Sequence, residues 1–221
     1  MANKIVSKAT IASLMFSALL TPQTLAAEPT PTRQTKPYTE TLATTQLNTT
    51  ENYTAHGKIF TDTYGQTNLY THIQNTTPTK NLTIILGEES LTDNITGDIL
   101  YTTPTRTHSH QQSWTDYTEL NQHWIHELLE TPPFDNYTNI TWVGKEKAAD
   151  FIADTIAQNP KHITHAILIN GGEYTSSGLT QATYDQLLNL NITIKNTASE
   201  DAENIAHAYK SHGFQNVTTV E

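Results

Sequence analysis

Residues 140–174, ITWVGKEKAADFIADTIAQNPKHITHAILINGGEY, constrain the fold more than any other stretch of the chain. Ile140, Trp142 and Val143 form a short apolar run that stops at Gly144. Ala148, Phe151, Ile152 and Ile156 then recur at helical spacing, and AILI follows as a second apolar run. Strand, sharp glycine turn, amphipathic helix and strand is the βαβ crossover, because parallel neighbours need a connection of a dozen or more residues where antiparallel ones need only a hairpin. One such unit already implies a sheet whose faces must be covered, and hence an α/β domain.

The rest of the chain extends the same pattern. Residues 58–62 and 67–73 alternate apolar and polar around Tyr64-Gly65, which predicts a hairpin. NLTIIL, residues 81–86, reads as a buried strand ending at Gly87, and residues 97–102 as another. Residues 116–130 place Tyr117, Leu120, Trp124, Ile125, Leu128 and Leu129 at helical spacing before Thr131-Pro132-Pro133 stops the helix. After strand 139–143, helix 146–158 and strand 164–170 come helix 181–190, strand 191–195, helix 199–212 with Ser199 as cap and Gly213 as stop, and strand 216–220. The expected fold is a three-layer α/β/α sandwich on a mostly parallel sheet. The expected core includes Ile84, Leu86, Trp142, Phe151, Ile167, Ile169, Leu188, Ile192, Ile194 and Tyr209.

The N-terminal part is different. Lys4 and Lys8 precede the apolar run Ile11–Leu20 and the small-residue exit Ala26-Ala27, so residues 1–27 have the form of a secretory leader. The apolar run is far shorter than the roughly 20 residues a membrane span needs. Residues 28–56 are rich in Thr, Pro, Asn and Gln, a composition that predicts a disordered segment, and leave 57–221 as the folded domain. With 221 residues, that is one domain with a sizeable core.

Formal charge is −10, and loss of Lys4 and Lys8 with the leader makes the mature chain more acidic still. That balance disfavours nucleic acid and anionic membrane surfaces as partners. The absence of cysteine removes disulfides and thiolate chemistry. N-x-T triplets recur, at Asn75, Asn81, Asn139, Asn191 and Asn216 among others, and several fall at the predicted strands. Each would be a glycosylation acceptor in a eukaryotic secreted protein.

From about Gly57 onward the order of elements resembles the α/β-hydrolase superfamily, without a large lid. The hairpin, NLTIIL and Gly87 look like its first three strands and the start of its oxyanion loop. The unit from Ile140 looks like its nucleophile elbow, G-x-S-x-G, which here reads Gly144-Lys145-Glu146-Lys147-Ala148. Strand Ile192–Lys195, with Asp201 just beyond, falls where the family carries its catalytic acid. The resemblance implies a hydrolase scaffold with Glu146 and Asp201 at catalytic positions and Gly87, Glu88, Gly144 and Lys145 beside the ligand.

The same residues depart from the family's chemistry. A serine triad needs an elbow hydroxyl, a histidine to deprotonate it and an acid to orient that histidine. Glu146 has no hydroxyl. None of the ten histidines matches the family's position after the last strand, His212 being the nearest in sequence. Glu88 and Glu89 in the oxyanion loop would repel a developing negative charge. The sequence therefore predicts a scaffold that binds a ligand or protein partner, with no cofactor. The alternative is an ester or amide hydrolase using other residues, Ser176 and Ser177 being substitute nucleophiles.

Two further readings stand beside these. AILINGGEYTSSG is similar to the strand and loop of von Willebrand factor A-like binding domains, but Leu86–Ser90 lacks that fold's D-x-S-x-S metal motif. No G-x-G-x-x-G run follows a first strand, which excludes the dinucleotide fingerprint. His108, His110, His123 and His126 form a candidate metal cluster, because imidazoles from a loop and a helix can converge on zinc or copper.

Overall fold

A computed structural model describes residues 36–48, 52–87, 97–104, 114–115, 118–174 and 180–220. The elements run β1 (Tyr38–Asn48), β2 (Asn52–Thr61), β3 (Thr67–Asn75), β4 (Asn81–Leu86), β5 (Asp98–Thr102), α1 (Thr118–Leu129), β6 (Asn139–Lys145), α2 (Lys147–Gln158), β7 (His165–Ile169), α3 (Gln181–Gln186), β8 (Asn191–Lys195), α4 (Ser199–Ser211) and β9 (Asn216–Val220). The strands form a single nine-stranded sheet in the order β1-β2-β3-β5-β4-β6-β7-β8-β9. The first four in space are joined by antiparallel pairings, and the remaining pairings are parallel.

This is the mostly parallel α/β sandwich that the sequence implies. The hairpin, the strand ending at Gly87 and the elbow unit stand in the order expected of an α/β-hydrolase fold. Each parallel strand sends alternate side chains to a helix-covered face. Leu82, Ile84 and Leu86 of β4, Ile140 and Trp142 of β6, Ala166 and Leu168 of β7, and Ile192 and Ile194 of β8 share one core with α1, α2 and α4. Trp124, Ile125 and Leu128 fill it from α1, Phe151, Ile152 and Ile156 from α2, and Ile205 and Tyr209 from α4. A smaller cluster, Tyr53, Ala55, Ile73, Ile85, Ile99 and Tyr101, lies on the opposite face. The crossover from β4 to β5 passes through 88–96, outside the described residues.

Four expectations change. Residues 38–48 and 52–56, read as disordered, are strands, and Tyr53 and Ala55 are buried. β1 lies at the sheet edge with Tyr38 and Leu42 exposed, so it has little apolar periodicity to betray it. Leu188, read as core, is 60% exposed. α3 ends at Gln186, and the turn that follows swings Leu188 outward while Leu187 packs on the core. Ile167 and Ile169 are half-buried, because they occupy the face of β7 away from α2. Ser199 begins α4 itself, and Ala198 holds the cap position with no side-chain bond.

Gly144 shows how closely α2 returns over β6. A Cβ added there would stand 2.7 Å from the carbonyl carbon and oxygen of Ala148 and 2.9 Å from the amide nitrogen of Ala149. Those are backbone atoms and cannot rotate aside. Gly144→Ala is therefore expected to lower stability by about 1–3 kcal/mol, the range for overpacking, read as a shifted urea midpoint. An unchanged midpoint would mean the helix has room to move.

Candidate active site

The backbone turns sharply between β6 and α2. Glu146 sits there at φ 53° and ψ −120°, a conformation that costs a non-glycine residue about 1–3 kcal/mol. Strain of this kind at a strand-to-helix turn is the hallmark of the nucleophile elbow. Its amide donates to the Ile169 carbonyl at 2.8 Å, and its carbonyl accepts the Asp150 amide at 3.0 Å. The turn is thus held on both sides, by β7 and by the first turn of α2.

The loop after β7 is fastened to the same turn. Asp150 Oδ1 accepts the Gly172 amide at 2.9 Å, and its other oxygen takes the Lys147 ammonium at 3.2 Å. Gly171 passes so near that a Cβ would lie 2.8 Å from the Glu146 carbonyl oxygen. Asn170 adopts φ 49°, which asparagine tolerates better than most residues. Its Oδ1 accepts the Thr197 amide at 3.0 Å, which ties this loop to the one after β8.

Between these loops opens a cleft of about 670 Å³, lined by Glu146, Asn170, Glu173, Tyr174, Asn196 and Asp201, with α4 closing one side. It lies outside the carboxyl ends of β6, β7 and β8, where open α/β sheets bind ligands. Tyr174 packs on Tyr209 at 4.9 Å between ring centroids and on His212 at 4.8 Å. Tyr209 is fully buried and donates to the Gly172 carbonyl at 3.2 Å. Its phenol is pushed well above the ordinary tyrosine range by burial, so it serves as a fixed donor behind Tyr174.

The structure brings Glu146 and Asp201 together on one cleft. The Glu146 side chain is 65% exposed, and the Lys145 ammonium stands 3.8 Å from its Oε1. Gly87 does not line the cleft: its amide donates to the Thr102 carbonyl at 3.0 Å, and its carbonyl accepts the Tyr101 hydroxyl. Gly144 lies beneath the elbow, packed on α2, and Lys145 stands at the end of β6. Glu88, Ser176 and Ser177 lie outside the described residues. Among the described residues lining the cleft there is no histidine. His212 packs on Tyr174, with its Nδ1 2.8 Å from the Ala208 carbonyl oxygen.

Of the four-histidine cluster, only His123 and His126 fall among the described residues, and their surroundings differ. His108 and His110 lie outside the described residues. His123 stands beside Tyr64, with ring centroids 4.5 Å apart. His126 is buried against Trp142 and His162, at 5.8 and 5.9 Å. One helical face carries both, but the first meets the β2–β3 turn and the second the interior. Asn170, Glu173, Tyr174 and Asn196 escaped the sequence reading. The signal for them was available, since residues directly after parallel strands line the crevice.

No family model matches the chain, and neither does any curated protein. Among solved structures it is similar to brefeldin A esterase, a bacterial homologue of human hormone sensitive lipase, at 9% identity and TM-score 0.49, over 99% of this chain and 79% of that one. It is also similar to carboxyl esterase 2 from the mycorrhizal fungus Tuber melanosporum, at 12% identity and TM-score 0.46, over 95% and 86%. A third is acetyl xylan esterase 1 from Thermoanaerobacterium sp. JW/SL YS485, at 6% identity and TM-score 0.47, over 85% and 82%.

Proposed function

We propose that this chain is a secreted or periplasmic binding protein built on the α/β-hydrolase fold, whose elbow no longer carries a nucleophile. The observation that supports this most is Glu146 itself. It has the strained backbone of an elbow nucleophile but no hydroxyl to offer, and its carboxylate is largely in water. Attack by such a carboxylate would need a desolvated or base-activated group, and the described cleft lining supplies neither a histidine nor a buried cation. Three acids, Glu146, Glu173 and Asp201, stand with the carboxamides of Asn170, Asn196 and Asn204 around Tyr174. That lining suits a small ligand presenting hydrogen-bond donors, hydroxyl or ammonium groups, against an aromatic wall.

The test is hydrolysis of short-chain aryl esters by the purified mature chain, alongside Glu146→Ala. Neither protein is expected to exceed the buffer rate. Turnover abolished by the substitution would make Glu146 catalytic and overturn the reading. Turnover that survives it would overturn the reading as well, and would direct attention to Ser176 and Ser177.

A further inference from the structure

At the carboxyl end of β2 the chain turns back into β3, and this turn meets α1. Asp62, at the turn's start, is fully buried. Its Oδ1 accepts the amides of Tyr64 at 3.0 Å and Gln66 at 2.8 Å, which fixes the side chain in place. From α1, His123 and Glu127 face the same point one helical turn apart, with Nε2 and Oε2 separated by 3.5 Å. One donor atom from each of Asp62, His123 and Glu127 lies within 4.8 Å of the other two.

The surroundings hold those donors in position. The Thr63 amide donates to Glu127 Oε2 at 2.9 Å, and the Thr63 hydroxyl lies 3.4 Å from His123 Nε2. The Tyr64 ring lies against the imidazole at 4.5 Å. Strand end and helix are therefore laced around one point, and the group joins an imidazole to two carboxylates from separate elements.

Distance and charge both suit a cation. Zinc bonds to imidazole nitrogen and carboxylate oxygen are about 2.0–2.2 Å long, and a tetrahedral arrangement places two such donors about 3.4 Å apart. The 3.5 Å between His123 and Glu127 fits that spacing. Two carboxylates face one imidazole with Asp62 out of water. A divalent ion would supply positive charge between the two carboxylates.

We propose that Asp62, His123 and Glu127 bind a divalent cation of the zinc class, with water completing its coordination. The sheet order puts four strand spacings between β2 and β6, roughly 19 Å along the sheet. The site is thus separate from the cleft beside Glu146.

The test is calorimetric titration of the full chain with Zn²⁺ alone, repeated on Asp62→Asn, His123→Gln and Glu127→Gln. The first and third substitutions keep an oxygen acceptor for the amides of the turn. His123→Gln changes a partly exposed position, so it reports on the metal even where Asp62→Asn proves unstable. One equivalent is expected to bind the unmodified chain, with affinity weakened at least about tenfold in each variant, the loss that a single outer hydrogen-bond partner already causes. His207→Gln, at an exposed position on α4, is expected to bind as the unmodified chain does. No uptake by the unmodified chain overturns the proposal, and so does uptake that is unaltered in His123→Gln and Glu127→Gln.

Discussion

Trp142→Ala is expected to destabilise the protein by about 3–5 kcal/mol, the range for truncating a large buried aromatic. Trp142 has no solvent exposure. It lies in the middle of β6, in register with Ile84 of β4 and Ala166 of β7. Its ring sits 6.3 Å from Phe151 of α2 and 5.8 Å from His126 of α1, so one side chain joins the sheet to both helices. Its indole N–H also donates to the His162 carbonyl at 3.0 Å. Removal opens a cavity and also takes the donor from a part-buried acceptor. Against a typical total of about 5–15 kcal/mol, that is a large share. Urea unfolding reads it directly. Trp142→Phe, which keeps most of the volume and loses the N–H, is expected to cost less, and equal losses in the two variants would contradict the packing argument.

The size of that effect follows from the feature that made the fold readable. Parallel strands buried between layers carry long apolar runs, so β4, β6, β7 and β8 could be placed from NLTIIL, NITWV, HAILI and NITIK almost to the residue. The repeated N-x-T triplet belongs to the same geometry. Asn81, Asn139, Asn191 and Asn216 each begin a strand, and Asn139 donates across to Asn81 Oδ1 at 2.9 Å. Each threonine two places on shares its asparagine's face, and Thr193 meets Thr218 across β8 and β9 at 3.4 Å. A pattern open to a glycosylation reading is thus also a strand-opening sequence.

What the sequence concealed has physical causes too. β1 is an edge strand, YTETLATTQLN, whose Tyr38 and Leu42 are exposed while Ala43 packs on the smaller cluster. Polar β-branched residues look alike in an edge strand and in an unstructured segment. At the cleft, Glu146 and Asp201 were legible because elbow and strand-end positions are fixed by the βαβ unit. Asn170 and Asn196 depend on how two loops are tied together through the Thr197 amide, a long-range contact that no local window contains. Asp62 and His123 meet for the same reason. One ends a strand and the other rides a helix far along the chain, and only the topology brings them together.

The second large effect is acid destabilisation through His126. His126 is only 8% exposed, and its ring nitrogens find no side-chain hydrogen-bond partner among the described residues. Burial, then the charges of His162 and Lys161, hold its pKa down to about 4, against Glu130 and a hydrogen bond with the Asn159 backbone. Lys161 and His162 both face Glu130, so that carboxylate is shared and offsets only part of the cost of charging His126. Unfolded, the imidazole would take its proton near the ordinary histidine value of about 6.5. The fold therefore favours the neutral ring. Its contribution is fully present above pH 6.5 and falls as pH drops toward 4, because the unfolded chain binds a proton that the native one refuses. Over that interval the group alone should remove about 3 kcal/mol. His126→Phe eliminates this titration and keeps an aromatic ring against Trp142. Between pH 7 and pH 4 its urea midpoint is expected to fall distinctly less than that of the unmodified chain. Parallel losses in the two proteins would place the acid sensitivity elsewhere, with the buried His72 and Asp98 pair as the next groups to change.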